Sequence, residues 1–142
     1  MKSIKEIYRI GKGPSSSHTM GPRKAAEIFS ERYPGAASYK VVLYGSLAAT
    51  GKGHLTDIAI TEVLQPKAPI SITWEPKVFL PFHPNGMKFM AFSGGGTLLG
   101  EWTVFSIGGG ALAEDGIGTG VVQTPEIYEM NHLTKILEWC ER

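Results

Sequence analysis

Residues 87–107 read MKFMAFSGGGTLLGEWTVFSI, two apolar runs with aromatic residues on either side of Ser93-Gly94-Gly95-Gly96. Such runs, bounded by turn residues, are strand signals, and a short glycine-rich break lets the second fold back on the first. The stretch predicts strands over 87–92 and 98–107 joined as a hairpin, and with it a sheet whose pairing is largely antiparallel. Working outward, SYKVVLY at 38–44 and ISITW at 70–74 carry the same signal. Helical spacing appears in the first half instead. Pro22 suits the first position of a helix whose apolar residues Ala25, Ala26, Ile28 and Phe29 repeat until Pro34-Gly35 ends it. LTDIAITEVL at 55–64 fits either a helix or a buried strand, and Leu55, Ile58 and Val63 favour a helix ending before Pro66.

Both ends add helices. Ser3 and Glu6 have capping-box spacing around the stripe Ile4, Ile7 and Tyr8, which predicts a short first helix ending near Gly11. Asn131 stands as a cap before Leu133, Ile136, Leu137 and Cys140, an amphipathic face that calls for a partner. Helices early and strands later, joined by hairpin-type connections, give the α+β class, with helices packed on one face of a mostly antiparallel sheet.

A chain of 142 residues is of the size of one domain. Its 14 basic and 13 acidic side chains leave a formal charge of +1, which points to neither nucleic acid nor an anionic membrane as partner. No apolar run approaches the roughly 20 residues of a membrane helix, and MKSIKEIYRI is too polar for a signal peptide. A cytoplasmic location is expected. Cys140 is the single cysteine, so the chain can complete neither an internal disulfide nor a cysteine-based metal site.

Four stretches could carry chemistry. In GPSSSHTMGP, 13–22, residues Ser15 to Thr19 precede the helix expected at Pro22, where unpaired amides and hydroxyls suit a carboxylate. Plain capping is the ordinary use of such a run, yet His18 has no core face to fill there. In YGSLAATGKGHLTD, 44–57, a phosphate loop is excluded, because Gly45 and Gly51 enclose five residues and Gly53 stands where Ser or Thr would hold magnesium. Lys52, His54, Thr56 and Asp57 around that turn can bind an anion and move a proton, or serve as turn residues only. PFHPNGM, 81–87, holds the common hairpin pair Asn85-Gly86, and SIGGG, 106–110, reads as a turn or as a close backbone approach.

Taken in order, GKGPSSSHTMGP, YGSLAATGKGHLTDIAI, LPFHPNGM and FSIGGG resemble the β domain of the iron–sulfur L-serine dehydratases over about Ile7 to Gly110. The resemblance implies an allosteric-substrate-binding-like fold and a lyase that converts L-serine to pyruvate and ammonia without pyridoxal phosphate. It implies a [4Fe-4S] cluster whose cysteine ligands lie in a separate α domain or subunit, one iron acting as a Lewis acid. Cys140 alone cannot hold that cluster. Carried over by resemblance, His18, Thr19, His54 and Thr56 are catalytic; Ser15, Ser16, Ser17, Lys52, Asn85 and Gly86 contact substrate; no metal ligand falls in this chain. Expected partners are L-serine, the α domain or subunit, and a second copy in a homodimer. The interval from Leu64 to Pro81 is short for the family, and the closing helix fits the N-terminal part of a single-chain enzyme better than a free-standing subunit. A non-catalytic serine-binding regulatory or dimerisation module is the alternative.

Overall fold

Along SYKVVLY, Tyr39, Val41 and Leu43 are buried while Lys40, Val42 and Tyr44 are not, the alternation of a strand with one covered face. A computed structural model describes residues 10–115 and 132–141 and places this strand, β1 (Ser38–Tyr44), inside a five-stranded sheet. The other strands are β2 (Ile70–Glu75), β3 (Gly86–Phe92), β4 (Leu98–Gly108) and β5 (Ala111–Ala113), in the spatial order β2-β1-β3-β4-β5. The hairpin read from residues 87–107 is present: β3 and β4 pair antiparallel, Phe89 opposite Trp102 and Met87 opposite Val104. Its turn closes through the Ser93 amide on the Thr97 carbonyl and the Gly96 amide on the Ser93 carbonyl.

Three helices cover the buried face. They are α1 (Gly21–Arg32), α2 (Gly45–Thr50) and α3 (Thr56–Leu64), preceded by a π-helical turn over Ser16–Met20 that runs into α1. Ala25, Ala26 and Phe29 of α1, Leu47 and Ala48 of α2, and Ile60 and Leu64 of α3 form one core with Val41, Leu43, Met87, Phe89 and Val104 of the sheet. Phe29 sits at its centre, its ring 5.5 Å from Phe89 and 4.9 Å from Tyr33. The α+β class with helices on one sheet face therefore holds, and 55–64 is helix rather than strand.

The structure also corrects the sequence reading in detail. β1 and β2 pair parallel, Val41 opposite Ile72, because α2 and α3 carry the chain across the sheet between them. Ser15 to Thr19 is not a loop awaiting a helix at Pro22: the helical path already begins at Ser16, and Ser15 is its cap, its Oγ accepting the His18 amide at 3.1 Å. Gly108, Gly109 and Gly110 all take positive φ, so SIGGG is the turn into β5, a strand too short to announce itself. A last helix, α4 (Leu133–Cys140), follows His132 at the cap position, and Leu137 and Trp139 are exposed on it. The helix expected near Ser3 and the Asn131 cap lie outside the described residues. Among the described residues no helix is long and apolar enough to cross a membrane.

Replacing Phe89, which is fully buried between Phe29 and Trp102, with alanine should lower unfolding free energy by about 3–5 kcal/mol in urea titration. A loss below about 1 kcal/mol would show that this face of the sheet is not the core.

Candidate active site

The two motif loops meet because the helices that follow them lie side by side. Arg23 of α1 bonds Glu62 of α3 at 2.7 Å, and Lys67 Nζ reaches Ser30 Oγ at 2.7 Å. The loop before α1 carries Ser17, His18 and Thr19, and the turn before α3 carries Lys52, His54 and Thr56. Each loop is fastened to the other by a threonine. Thr19 Oγ1 donates to the His54 carbonyl at 2.7 Å, and Thr56 Oγ1 donates to the His18 carbonyl. Both threonines are buried, so neither hydroxyl is exchanged for water at little cost. The effect is to hold both imidazoles in one place, ring centres 5.0 Å apart and planes tilted by 41°.

The ring nitrogens differ. His54 Nδ1 lies 3.0 Å from the Thr50 carbonyl. A carbonyl only accepts, so Nδ1 carries the proton and the neutral ring keeps a bare lone pair on Nε2. His18 is held on both sides, Nδ1 by Ser17 Oγ at 2.8 Å and Nε2 by Ser46 Oγ at 3.3 Å. Burial pulls the His18 imidazole below the ordinary histidine value and the facing His54 ring adds to that, while a backbone hydrogen bond of Ser46 partly offsets them. His18 is thus a neutral, hydrogen-bonded imidazole near neutral pH, and His54 offers an unprotonated nitrogen beside it.

The turn that carries His54 depends on close backbone packing at Gly51. A Cβ there would come within 2.1 Å of the Leu47 carbonyl oxygen, and the Gly51 carbonyl itself accepts the His54 amide at 3.1 Å and the Thr56 amide at 2.9 Å. The turn ends at Leu55, the one non-glycine residue with positive φ (59°) among the described residues, a strained conformation of the kind that gathers at functional sites.

The other expected contacts stand at different distances from this pair. Ser15 caps the helical turn, and Ser16 is exposed with its carbonyl accepting the Gly21 amide. The Lys52 ammonium lies over the Trp74 ring, 5.5 Å from its centre. Asn85 Nδ2 donates to the Ser106 carbonyl at 3.1 Å, and its amide donates to His83 Nδ1 at 3.1 Å. Gly86 opens β3, where a Cβ would meet Leu80 at 3.0 Å. Two contacts escaped the sequence reading, Ser46 on His18 and the Thr50 carbonyl on His54. Both lie in the quoted 44–57 stretch, but a serine beginning a short helix and a backbone oxygen carry no sequence mark.

A family model described as serine dehydratase beta chain matches residues 3–75 and 64–116. The chain belongs to the serine dehydratase β-chain family. The two matched pieces meet in the interval before Pro81 that was expected to be short. The chain is 33% identical to L-serine dehydratase TdcG of Escherichia coli, with 99% of this chain and 40% of the relative aligned. It is 33% identical to an L-serine dehydratase of Mycobacterium tuberculosis, over 99% of this chain and 39% of the relative. An L-serine dehydratase of Helicobacter pylori is 31% identical over 99% of this chain and 40% of its own length. The chain thus spans about two fifths of the length of the curated relatives it matches.

Removing either buried clasp hydroxyl while keeping shape, by Thr19→Val or Thr56→Val, should cost about 1–3 kcal/mol because a part-buried carbonyl loses its donor. The double variant should cost less than the sum of the two, since the hydroxyls close one joint. Urea unfolding of the three variants checks this, and simple additivity would show two independent bonds.

The His18 shift has a pH signature. Its pKa is depressed in the folded chain, so between the folded value and the ordinary value of about 6.5 the unfolded chain binds more protons. This group's effect is therefore a loss of stability as pH falls below about 6.5, and none above it. Histidine NMR titration should give His18 a midpoint below 6.5. A midpoint at or above that value would mean that the ring is more solvated than the contacts to Ser17 and Ser46 imply.

Proposed function

We propose that this chain is the β part of an L-serine dehydratase, and that its clasped histidine pair forms one wall of the active site. The observation that carries this reading is the pair itself, two imidazoles fixed at 5.0 Å by motif residues of a chain in the β-chain family. L-serine is the substrate, lost as water and 2-aminoacrylate, whose imine tautomer hydrolyses to pyruvate and ammonia. An α domain or subunit is the partner, homodimeric pairing and a cytoplasmic location belong to the same reading, and pyridoxal phosphate has no part in it.

Among the described residues no three His, Cys, Asp or Glu side chains gather as metal ligands, and the one cysteine, Cys140, is exposed on α4. This chain's residues therefore do not fit a [4Fe-4S] cluster, and its cysteine ligands would belong to the α part. What remains to this chain is positioning and proton transfer. His54 Nε2, unprotonated in the neutral ring, is the base that takes the Cα proton. His18, held on both nitrogens, stays neutral and braces the His54 ring from the side, both rings lying on the same wall. The start of the π-helical turn receives the substrate carboxylate, where the helix dipole and the exposed Ser16 favour an anion, while Ser15 Oγ caps the His18 amide and Ser17 Oγ holds its ring.

The test is pyruvate release from L-serine when this chain is mixed, without oxygen, with a cluster-loaded α part expressed separately. Turnover should need both components, and His54→Ala should reduce kcat by a factor of about 100 or more with the fold retained by circular dichroism. Binding of an intact cluster protein without pyruvate would overturn the reading in favour of a serine-sensing module. Near-normal turnover by His54→Ala would remove His54 as the base.

A further inference from the structure

Ser46 lies where β1 ends and α2 begins, and its surroundings fix it from three directions. Gly45 takes a positive φ of 50°, and its amide donates to the Val78 carbonyl at 2.9 Å. The Ser46 amide donates to the Pro84 carbonyl at 3.0 Å, and the Ser46 carbonyl accepts Thr50 Oγ1 at 2.9 Å. Ser46 is the second residue of α2, past the cap position at Tyr44, and α2 has no side-chain cap bond. The hydroxyl is directed instead at His18 Nε2, 3.3 Å away, opposite Ser17 on Nδ1.

We infer that Ser46 is a positioning residue for His18: with Ser17 it grips both ring nitrogens, and through its amide it couples the imidazole to the 78–84 segment. A neutral imidazole has one donor and one acceptor nitrogen, and each hydroxyl can rotate to match either. The grip therefore holds the ring plane without dictating a tautomer. Position is supplied by the backbone: Val78 and Pro84 hold Gly45 and Ser46 from the segment that leads into β3, so the PFHPNG stretch acts on the histidine pair through Ser46. Ser46 touches His18 and is assigned no contact with the substrate.

The consequence for turnover rests on the dehydratase reading, whereas the grip on the ring does not, and the experiment separates the two. Ring ¹⁵N signals of His18 are read by NMR in the whole chain for wild type, Ser46→Ala and Ser46→Thr; kcat and KM are read in the complex with the cluster-loaded α part. Ser46→Ala should move the His18 ring ¹⁵N signals, since the hydroxyl facing Nε2 is lost while the Ser46 backbone stays in place. It should reduce kcat about tenfold with little change in KM, and Ser46→Thr, which keeps the hydroxyl, should restore both. Unchanged His18 signals in Ser46→Ala overturn the grip. Altered signals with wild-type kcat overturn the positioning role. Altered signals in a chain whose wild type gives no pyruvate with an intact partner uphold the grip and overturn the dehydratase reading alone. Where Ser46→Ala loses amide dispersion, Ser46→Cys, similar in shape but a poorer hydrogen-bonding partner, is read by the same signals with the same outcomes.

Discussion

Two buried threonine hydroxyls, each bonded to the backbone carbonyl of the histidine in the other loop, are the joint on which the site depends. The arrangement fixes the two imidazoles by their main chains and leaves their ring nitrogens free for other partners. Side-chain contacts alone would leave each histidine several rotamers. Here the carbonyls are tethered first, and Ser17, Ser46 and the Thr50 carbonyl then select among what remains. The resemblance placed Thr19 and Thr56 beside the histidines as catalytic groups; in the structure their hydroxyl protons are committed to carbonyls, which is a holding function.

The fold was legible where periodicity is local. Alternation in 38–44, the glycine break at 93–96 and helical spacing after Pro22 each produce the element they predict, because burial on one face is what selects those patterns. What was not legible is non-local or unpatterned. Parallel pairing of β1 with β2 follows from the path of α2 and α3, and neither strand's sequence encodes its neighbour. The helical start at Ser16 was hidden because serine is a poor helix interior residue and Pro22 is so good a first one; the π-helical turn lets the path begin six residues before Pro22.

The site was legible as two loops and not as a geometry. His18 and His54 could be singled out from serine-rich and glycine-rich surroundings, but the division between a doubly bonded ring and one with a bare nitrogen rests on Ser46 and a main-chain oxygen, which no composition announces. Lys52 shows the converse. Its position in a glycine turn suggests an anion ligand, yet the neighbouring strand offers the Trp74 face, and a flexible ammonium settles there.

The clasp bonds join residues 35 and 38 positions apart in the chain. Contacts of that span cannot form by local collapse; they close only when α1 and α3 already lie together on the sheet, late in the assembly of the core. A chain that is collapsed but loosely packed would keep much of its helix and strand content while its two imidazoles wandered apart. The histidine pair is in this sense an internal gauge of tight packing, brought into register only by the finished fold.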